Sequence, residues 1–225
     1  MTDWIDVSVP LSPDLPVWPG NPRFSFTWAR SIANGDQTND SFLSFDAHTG
    51  THVEGPLHVD PTATSPSAWP VDALVLTVEV VEIPDTISLI TEAHLPHAAG
   101  DISGLLFRTS NSTRNLWDNP RFQNDYCALS DGAAEAITQR SGIRVVGIDY
   151  LSIQSQTATD IVHRKLLQNS IAVIEGLDLR SVSAETYDMV ALPLRILGTE
   201  AAPCRVMLRS RRGVSVRANG YGSLS

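Results

Sequence analysis

Residues 48–58 read His48-Thr-Gly-Thr-His52-Val-Glu54-Gly-Pro-Leu-His58. Three of the chain's six histidines fall within these eleven residues, with one carboxylate among them. His48, His52, Glu54 and His58 share parity, so an extended backbone turns them to one side. A helix would also align His48 with His52. However, Gly50, Gly55 and Pro56, set among the β-branched Thr49, Thr51 and Val53, disfavour a helix. The segment is predicted to be extended or bulged, its glycines letting the backbone come close to something. Imidazole nitrogens and a carboxylate are the donor set that a divalent metal such as Zn²⁺ prefers at a catalytic site, where two His and one carboxylate leave a position open for water. An isolated histidine is usually a packing or surface residue. Three with a glutamate at this spacing favour metal binding over a loop of unrelated histidines.

Around this segment lies an ordinary chain. Its 225 residues are 42% apolar and 18% charged, enough to bury a core without a metal or disulfide to hold it. The net charge of −9 argues against a nucleic-acid partner, because phosphate backbones are held by basic patches. No apolar run is long enough to span a membrane. The start, MTDWIDVSVPLSPDLPVWPG, has acids and prolines where a secretion signal has a basic start and an apolar run. Cys127 and Cys204 do not make a disulfide framework and read as small buried residues. A reducing cytoplasm is the expected location.

Short runs rich in Val, Ile and Leu predict strands at Leu76–Ile83, Leu105–Thr109, Arg144–Asp149, Ile171–Glu175, Met189–Leu194 and Arg205–Arg209. Pro193 places its run at a sheet edge or bulge. Ser130 caps a predicted helix through Arg140, with Ala133, Ala134 and Ile137 on one face and Gly142 as its stop. Asp160 through Leu167 is a second helix, closed by Asn169, and Ile90 through Leu95 a single turn ended by Pro96. Strands alternating with helices in the second half predict one mixed α/β domain over residues 1–225. Residues 1–45, punctuated by prolines, are expected to be irregular, and residues 218–225 a loose tail.

The signature H-T-G-T-H-x-E-x-P-x-H resembles the H-x-G-T-H-x-D-x-P-x-H pattern of the putative cyclase family, which includes bacterial kynurenine formamidase and isatin hydrolase. Residues 17–22 (VWPGNP) are similar to that family's N-terminal loop, and residues 69–74 (WPVDAL) to its connection before a strand. Residues 146–153 (VGIDYLSI), His163-Arg164-x-Leu166-Leu167 and residues 174–179 (IEGLDL) resemble its C-terminal half. The resemblance covers most of the chain. It implies a central β-barrel-like mixed sheet with outer helices, and a homodimer or homotetramer. It implies one metal held by His48, His52 and Glu54, and a second shared by Glu54 with His163 and Glu175. His58 becomes the proton-transfer residue, and Trp18, in the N-terminal arm, an aromatic wall of the substrate pocket. Most members carry Asp where this chain has Glu54. The longer side chain must still bridge metals ~3.5–4 Å apart, and the carboxylate shifts preference toward Mn²⁺ without excluding Zn²⁺.

Taken by themselves, the C-terminal pair say less. Histidine on a short helix is more often structural, whereas a half-buried carboxylate after residues 171–174 (IAVI) needs a partner or a metal. Asp149 either supports a ligand histidine or caps the next turn. Trp18, Phe24 and Trp69 are candidates to stack on an aromatic ring, with Phe24 and Trp69 read rather as core.

The predicted activity is metal-dependent hydrolysis, foremost of N-formyl-L-kynurenine to L-kynurenine and formate. A metal lowers the pKa of water from 15.7 toward ~7, generating hydroxide that attacks the carbonyl. His58 moves the proton to the leaving group. The alternatives are ring opening of isatin or a lactone, a polyketide-type cyclisation on the same scaffold, or a non-enzymatic metal-binding module. A serine hydrolase is set aside because no G-x-S-x-G elbow occurs. Nucleotide cofactors have no fingerprint in the chain.

Overall fold

All six apolar runs form strands, and six further strands occur among the described residues. A computed structural model describes residues 4–70, 72–97, 100–158 and 161–211. In chain order the strands are β1 (Trp4–Asp6), β2 (Ser25–Arg30), β3 (Asp40–Ser44), β4 (His52–Glu54), β5 (Val75–Glu82), β6 (Leu89–Ile90), β7 (Gly104–Arg108), β8 (Ala128–Leu129), β9 (Val145–Ile148), β10 (Ala172–Glu175), β11 (Thr186–Pro193) and β12 (Ala201–Ser210). The helices are α1 (Ser110–Thr113), α2 (Asp131–Thr138) and α3 (Ile161–Gln168).

The main sheet runs β12-β11-β5-β7-β9-β10-β4 and then returns to β12, closing seven strands into a mixed barrel. The pairings β5–β7, β7–β9 and β9–β10 are parallel, and the others antiparallel. Closure removes the free edges that an open sheet would expose. β12 is long enough to pair with β4 through Ala201–Pro203 and with β1 through Met207–Arg209.

Side-chain alternation sorts the strand residues onto two faces. Val53, Val78, Leu106, Val145, Ile174, Met189 and Val206 fill the barrel. Leu105, Phe107, Val146, Ile148 and Val173 point outward, where Ala133, Ala134 and Ile137 of α2 and Val162, Leu166 and Leu167 of α3 cover them. A third cluster joins Leu15 with Leu116, Trp117, Tyr126 and Tyr150, with Trp18 and Phe122 packed against it.

Local chemistry explains both helix boundaries. Ser130 Oγ accepts from Ala133 N at 3.1 Å, capping α2. α3 ends in a paired 6→1 and 5→2 closure, Ile171 N to Leu166 O and Ser170 N to Leu167 O, with Ser170 at φ 59°. The left-handed residue is thus Ser170 and not Asn169, whose amide instead reaches the Lys165 carbonyl. Asp160, the expected start of that helix, lies outside the described residues, as does the expected tail at 218–225.

Two expectations are corrected. The first 45 residues are not wholly irregular, because β1 joins the main sheet and β2 and β3 form a hairpin. β11 is not an edge strand, since it lies between β12 and β5. Pro193 is its last residue, beyond the β5 pairing that ends at Val190, so its missing N–H breaks no ladder there. Phe24 is buried, and Trp69 packs against the barrel core, as read from the sequence.

Candidate metal centre

Val53 points into the barrel, so its neighbours His52 and Glu54 on β4 point outward. β10 pairs antiparallel with β4, setting Glu175 directly opposite His52. α3 packs over this face and brings His163, buried, onto the same spot. His48 comes from the turn before β4 and His58 from the 3-10 turn Pro56–His58 after it. Six of the seven residues predicted around the site therefore converge, and the seventh, Trp18, lies further out.

Glu54 is at the centre. Its Oε1 lies 3.0 Å from His48 Nδ1, 3.7 Å from His52 Nε2 and 3.7 Å from His58 Nε2. Its Oε2 lies 3.3 Å from His163 Nε2. The longer glutamate side chain thus reaches both the signature histidines and the C-terminal one. Glu175 Oε1 accepts from Ile153 N at 2.6 Å and lies 3.0 Å from His163 Nε2, while its Oε2 lies 3.5 Å from His52 Nε2. Among the described residues, two donor sets have their ligand atoms within 4.8 Å of one another: His48, Glu54 and His58, and His52, Glu54 and Glu175. Glu54 belongs to both, and the first set includes His58, which sequence reading had kept for proton transfer alone.

Hydrogen bonds aim the imidazoles. His52 Nδ1 is 2.9 Å from the Gly50 carbonyl, which can only accept, so the proton sits on Nδ1 and neutral His52 turns a lone pair at Nε2 toward the carboxylates. His48 Nδ1 and His52 Nε2 face each other at 3.2 Å.

Electrostatics match a cation site. Burial works against charge on His52, but hydrogen bonds to Glu175 and Glu54 and their negative charge raise its pKa to about 10. Burial pushes the Glu54 carboxyl up, yet His163, His48 and His52 hold it well below the usual carboxylate range. Glu175 is likewise held low by His163 and His52, against burial and the charge of Glu54. Without a cation, a proton on His52 helps to balance the two buried carboxylates. Glu54 Oε2 is buried and receives no hydrogen bond, an unmet lone pair that a metal would satisfy. The nitrogen and oxygen donors, with no thiolate among them, fit a divalent cation such as Zn²⁺ or Mn²⁺.

The cluster forms the floor of a cavity of about 550 Å³. Trp18 and Asn21 of the N-terminal arm, Val59, Leu151, Gln154 and Arg164 stand among its walls. Trp18 meets Phe122 edge-to-face at 5.1 Å, and Phe122 packs on Tyr126 and Tyr150, so the aromatic wall is braced from behind. His58 is the most exposed histidine of the cluster, at 31%, and opens on this cavity.

Asp149 is not a support for these histidines. Fully buried, it accepts from Thr109 N, Thr109 Oγ1, Asn111 Nδ2 and Ser112 N, and so organises the start of α1 some forty residues earlier. Burial raises its pKa despite these bonds. Cys127 and Cys204 form no disulfide, and burial pushes both thiols up to about 12, which leaves them poor nucleophiles. Sequence reading missed Glu200, whose Oε1 lies 3.2 Å from His48 Nε2. It also missed Arg164 and Gln154 as wall residues, because no local pattern marks them.

A family model described as putative cyclase matches residues 5–155. The kynurenine formamidase of Salinibacter ruber (strain DSM 13855 / M31) is 33% identical over 213 residues, covering 91% of this chain and 96% of the relative. A solved structure described as a potential metal-dependent hydrolase with cyclase activity is 31% identical, with a TM-score of 0.76 over 91% of this chain and 96% of its own. Isatin hydrolase A from Labrenzia aggregata, bound to benzyl benzoate, shares the fold at 20% identity, with a TM-score of 0.75 over 91% and 92% of the two chains. With more than half its length matched, and a relative at this identity spanning nearly all of it, the chain belongs to the putative cyclase family.

Proposed function

We propose that this metal-dependent hydrolase of non-peptide C–N bonds is an arylformamidase, cleaving N-formyl-L-kynurenine to L-kynurenine and formate. What carries the reading is the joint presence of the Glu54-centred cluster under an aromatic-walled cavity and a near full-length likeness to a kynurenine formamidase. His48, His52, Glu54, His163 and Glu175 would hold one or two ions of Zn²⁺ or Mn²⁺. A bound cation supplies Lewis acidity, lowering the pKa of water and polarising a carbonyl.

The chain's own residues supply the rest. Water adds its oxygen to the formyl carbon, the C–N bond breaks, and the aniline nitrogen gains a proton. His58, within reach of both the carboxylate cluster and the open cavity, takes the proton from water and delivers it to that nitrogen. Trp18 offers a face for the aniline ring, held in place by Phe122. Leu151 and Val59 exclude water beside it.

Steady-state hydrolysis by protein loaded in turn with Zn²⁺ and Mn²⁺ tests the proposal. A kcat/KM within ~10⁴–10⁸ M⁻¹s⁻¹ is expected. No turnover by metal-loaded protein would overturn the formamidase assignment, and turnover of isatin or a lactone instead would reassign the substrate. The same reading takes the enzyme as cytoplasmic, in keeping with its unpaired cysteines. It also takes it as a homodimer or homotetramer, in keeping with Phe26, Trp28 and Phe42 exposed on the β2–β3 hairpin. A monomeric mass by light scattering would refute the oligomer.

A further inference from the structure

Each neutral imidazole carries one proton, on one nitrogen or the other, and only the unprotonated nitrogen can bind a cation. His52 has this choice made by main chain, through the Gly50 carbonyl. His48 does not. Its Nδ1 faces Glu54 Oε1 at 3.0 Å and His52 Nε2 at 3.2 Å, and its Nε2 faces Glu200 Oε1 at 3.2 Å. A proton on Nε2 is donated to Glu200 and leaves the Nδ1 lone pair aimed into the donor cluster. A proton on Nδ1 would be donated to Glu54, spending on each other two donor atoms that a cation needs, and would leave a lone pair at Nε2 against Glu200.

We infer that Glu200 is a positioning residue that fixes His48 in the Nε2–H tautomer and turns its Nδ1 lone pair toward the metal centre. The inference rests on the metal-site reading above.

Glu200 is itself held firmly. Its carbonyl accepts from Gly55 N at 3.0 Å, and the next residue, Ala201, pairs directly with Glu54 in the β4–β12 seam. Its main chain therefore grips the signature segment just after β4, while its side chain grips His48 just before β4. His48 needs this more than His52 or His163. It sits on a turn, its N–H held by Asp46 Oδ1 at 2.9 Å, whereas His52 lies within a strand and His163 within a helix.

The test measures cation binding and tautomer separately from hydrolysis. Zn²⁺ affinity is measured by competition with a chromophoric chelator for wild type, Glu200→Leu, Glu200→Gln and, as a ligand-loss control, His52→Ala. The imidazole ¹⁵N–¹H signals of the zinc-loaded proteins are recorded alongside. Glu200→Leu removes the acceptor and is expected to weaken zinc binding ~10–100-fold, the usual effect of losing such an outer partner. It should also lose the slowly exchanging Nε2–H signal of His48. Glu200→Gln keeps a carbonyl acceptor at the same reach and should restore the signal and most of the affinity. A Glu200→Leu protein that binds zinc as tightly as wild type and keeps that signal overturns the inference and leaves the metal site standing. So does a loss fully shared by Glu200→Gln and matched by a lower melting temperature of the metal-free protein, which would mark a merely structural clip. Failure of the wild type to bind Zn²⁺ or Mn²⁺ would instead sink the metal-site reading, and this inference with it.

Discussion

His58 and His52 lie 3.7 Å from the same Glu54 oxygen, yet their surroundings set them apart. His52 is sealed and tautomer-locked, while His58 faces the cavity. His58→Ala should therefore lower kcat by ~10²–10⁴, the range for losing a proton-transfer group, with metal content nearly unchanged. His52→Ala should lose metal and activity together. Elemental analysis beside kinetics separates the two, and a His58→Ala enzyme that loses its metal would recast His58 as a ligand. At this scale the sequence was most informative where residues cluster locally, as in residues 48–58. Glu175 showed locally only as a buried acid in need of a partner, and its convergence with His163 on Glu54 was legible only through family resemblance, because 121 residues separate Glu54 from Glu175. Glu200 left no trace, being 152 residues from His48. Asp149 stayed undecided between two roles because an acid ending an apolar run has the same local appearance whether it serves a histidine or, as here, a turn forty residues earlier.

Between β4 and β10 the decisive packing is made by glycines. Gly176 follows Glu175 with φ 76°, and a Cβ there would collide with the Gly50 carbonyl. Only glycine combines that left-handed backbone with so close an approach. Gly176→Ala should push the turn carrying His48 away from Glu175. We expect a loss of more than ~1 kcal/mol of stability, the least that such backbone strain costs, together with weaker metal binding. Urea unfolding and zinc titration of the same variant check both, and intact affinity would show that the turn can shift freely. Other element-level features were plain from composition. Runs of Val, Ile and Leu became barrel strands because their inward faces fill the core, and in β7, β9 and β10 the outward faces are buried as well, while Ser130 began a helix because its hydroxyl meets an orphan N–H. The β2–β3 hairpin escaped notice because proline-rich flanks suggest irregular chain and its alternating aromatics remain exposed. Pro193 misled because a strand's last residue tolerates proline as readily as an edge does.

Across the whole molecule, the cluster makes stability depend on pH and cation together. The folded pKa of His52 is raised above its ordinary 6.5 to about 10. Its contribution in metal-free protein is thus complete below pH 6.5 and lost as pH rises through about 10. Glu54 and Glu175 are depressed below the ordinary 4.5, so theirs is present above that pH and lost on acidification. Metal-free protein should accordingly be steadiest between those two ordinary values and weaken toward alkali. Loaded protein should not, because the cation replaces the protons and binds better as they leave. Thermal melts with and without chelator, from about pH 6 to about pH 9, should show a gap that widens with pH. A constant gap would mean that protons and cation do not compete at His52.

Barrel closure also sets a timetable. β4 completes the ring only by pairing with β12, the last described strand, and Glu200 precedes that strand by one residue. Pairings so remote in sequence form slowly, since a long loop must be closed before any contact rewards it. During synthesis, chain growth from the N-terminus releases His48, His52 and Glu54 long before Glu175 and Glu200 exist. Until then these three donor side chains stand without the partners they meet in the folded cluster. The full donor cluster is therefore assembled late, once β10 and β12 have brought Glu175 and Glu200 to the signature segment.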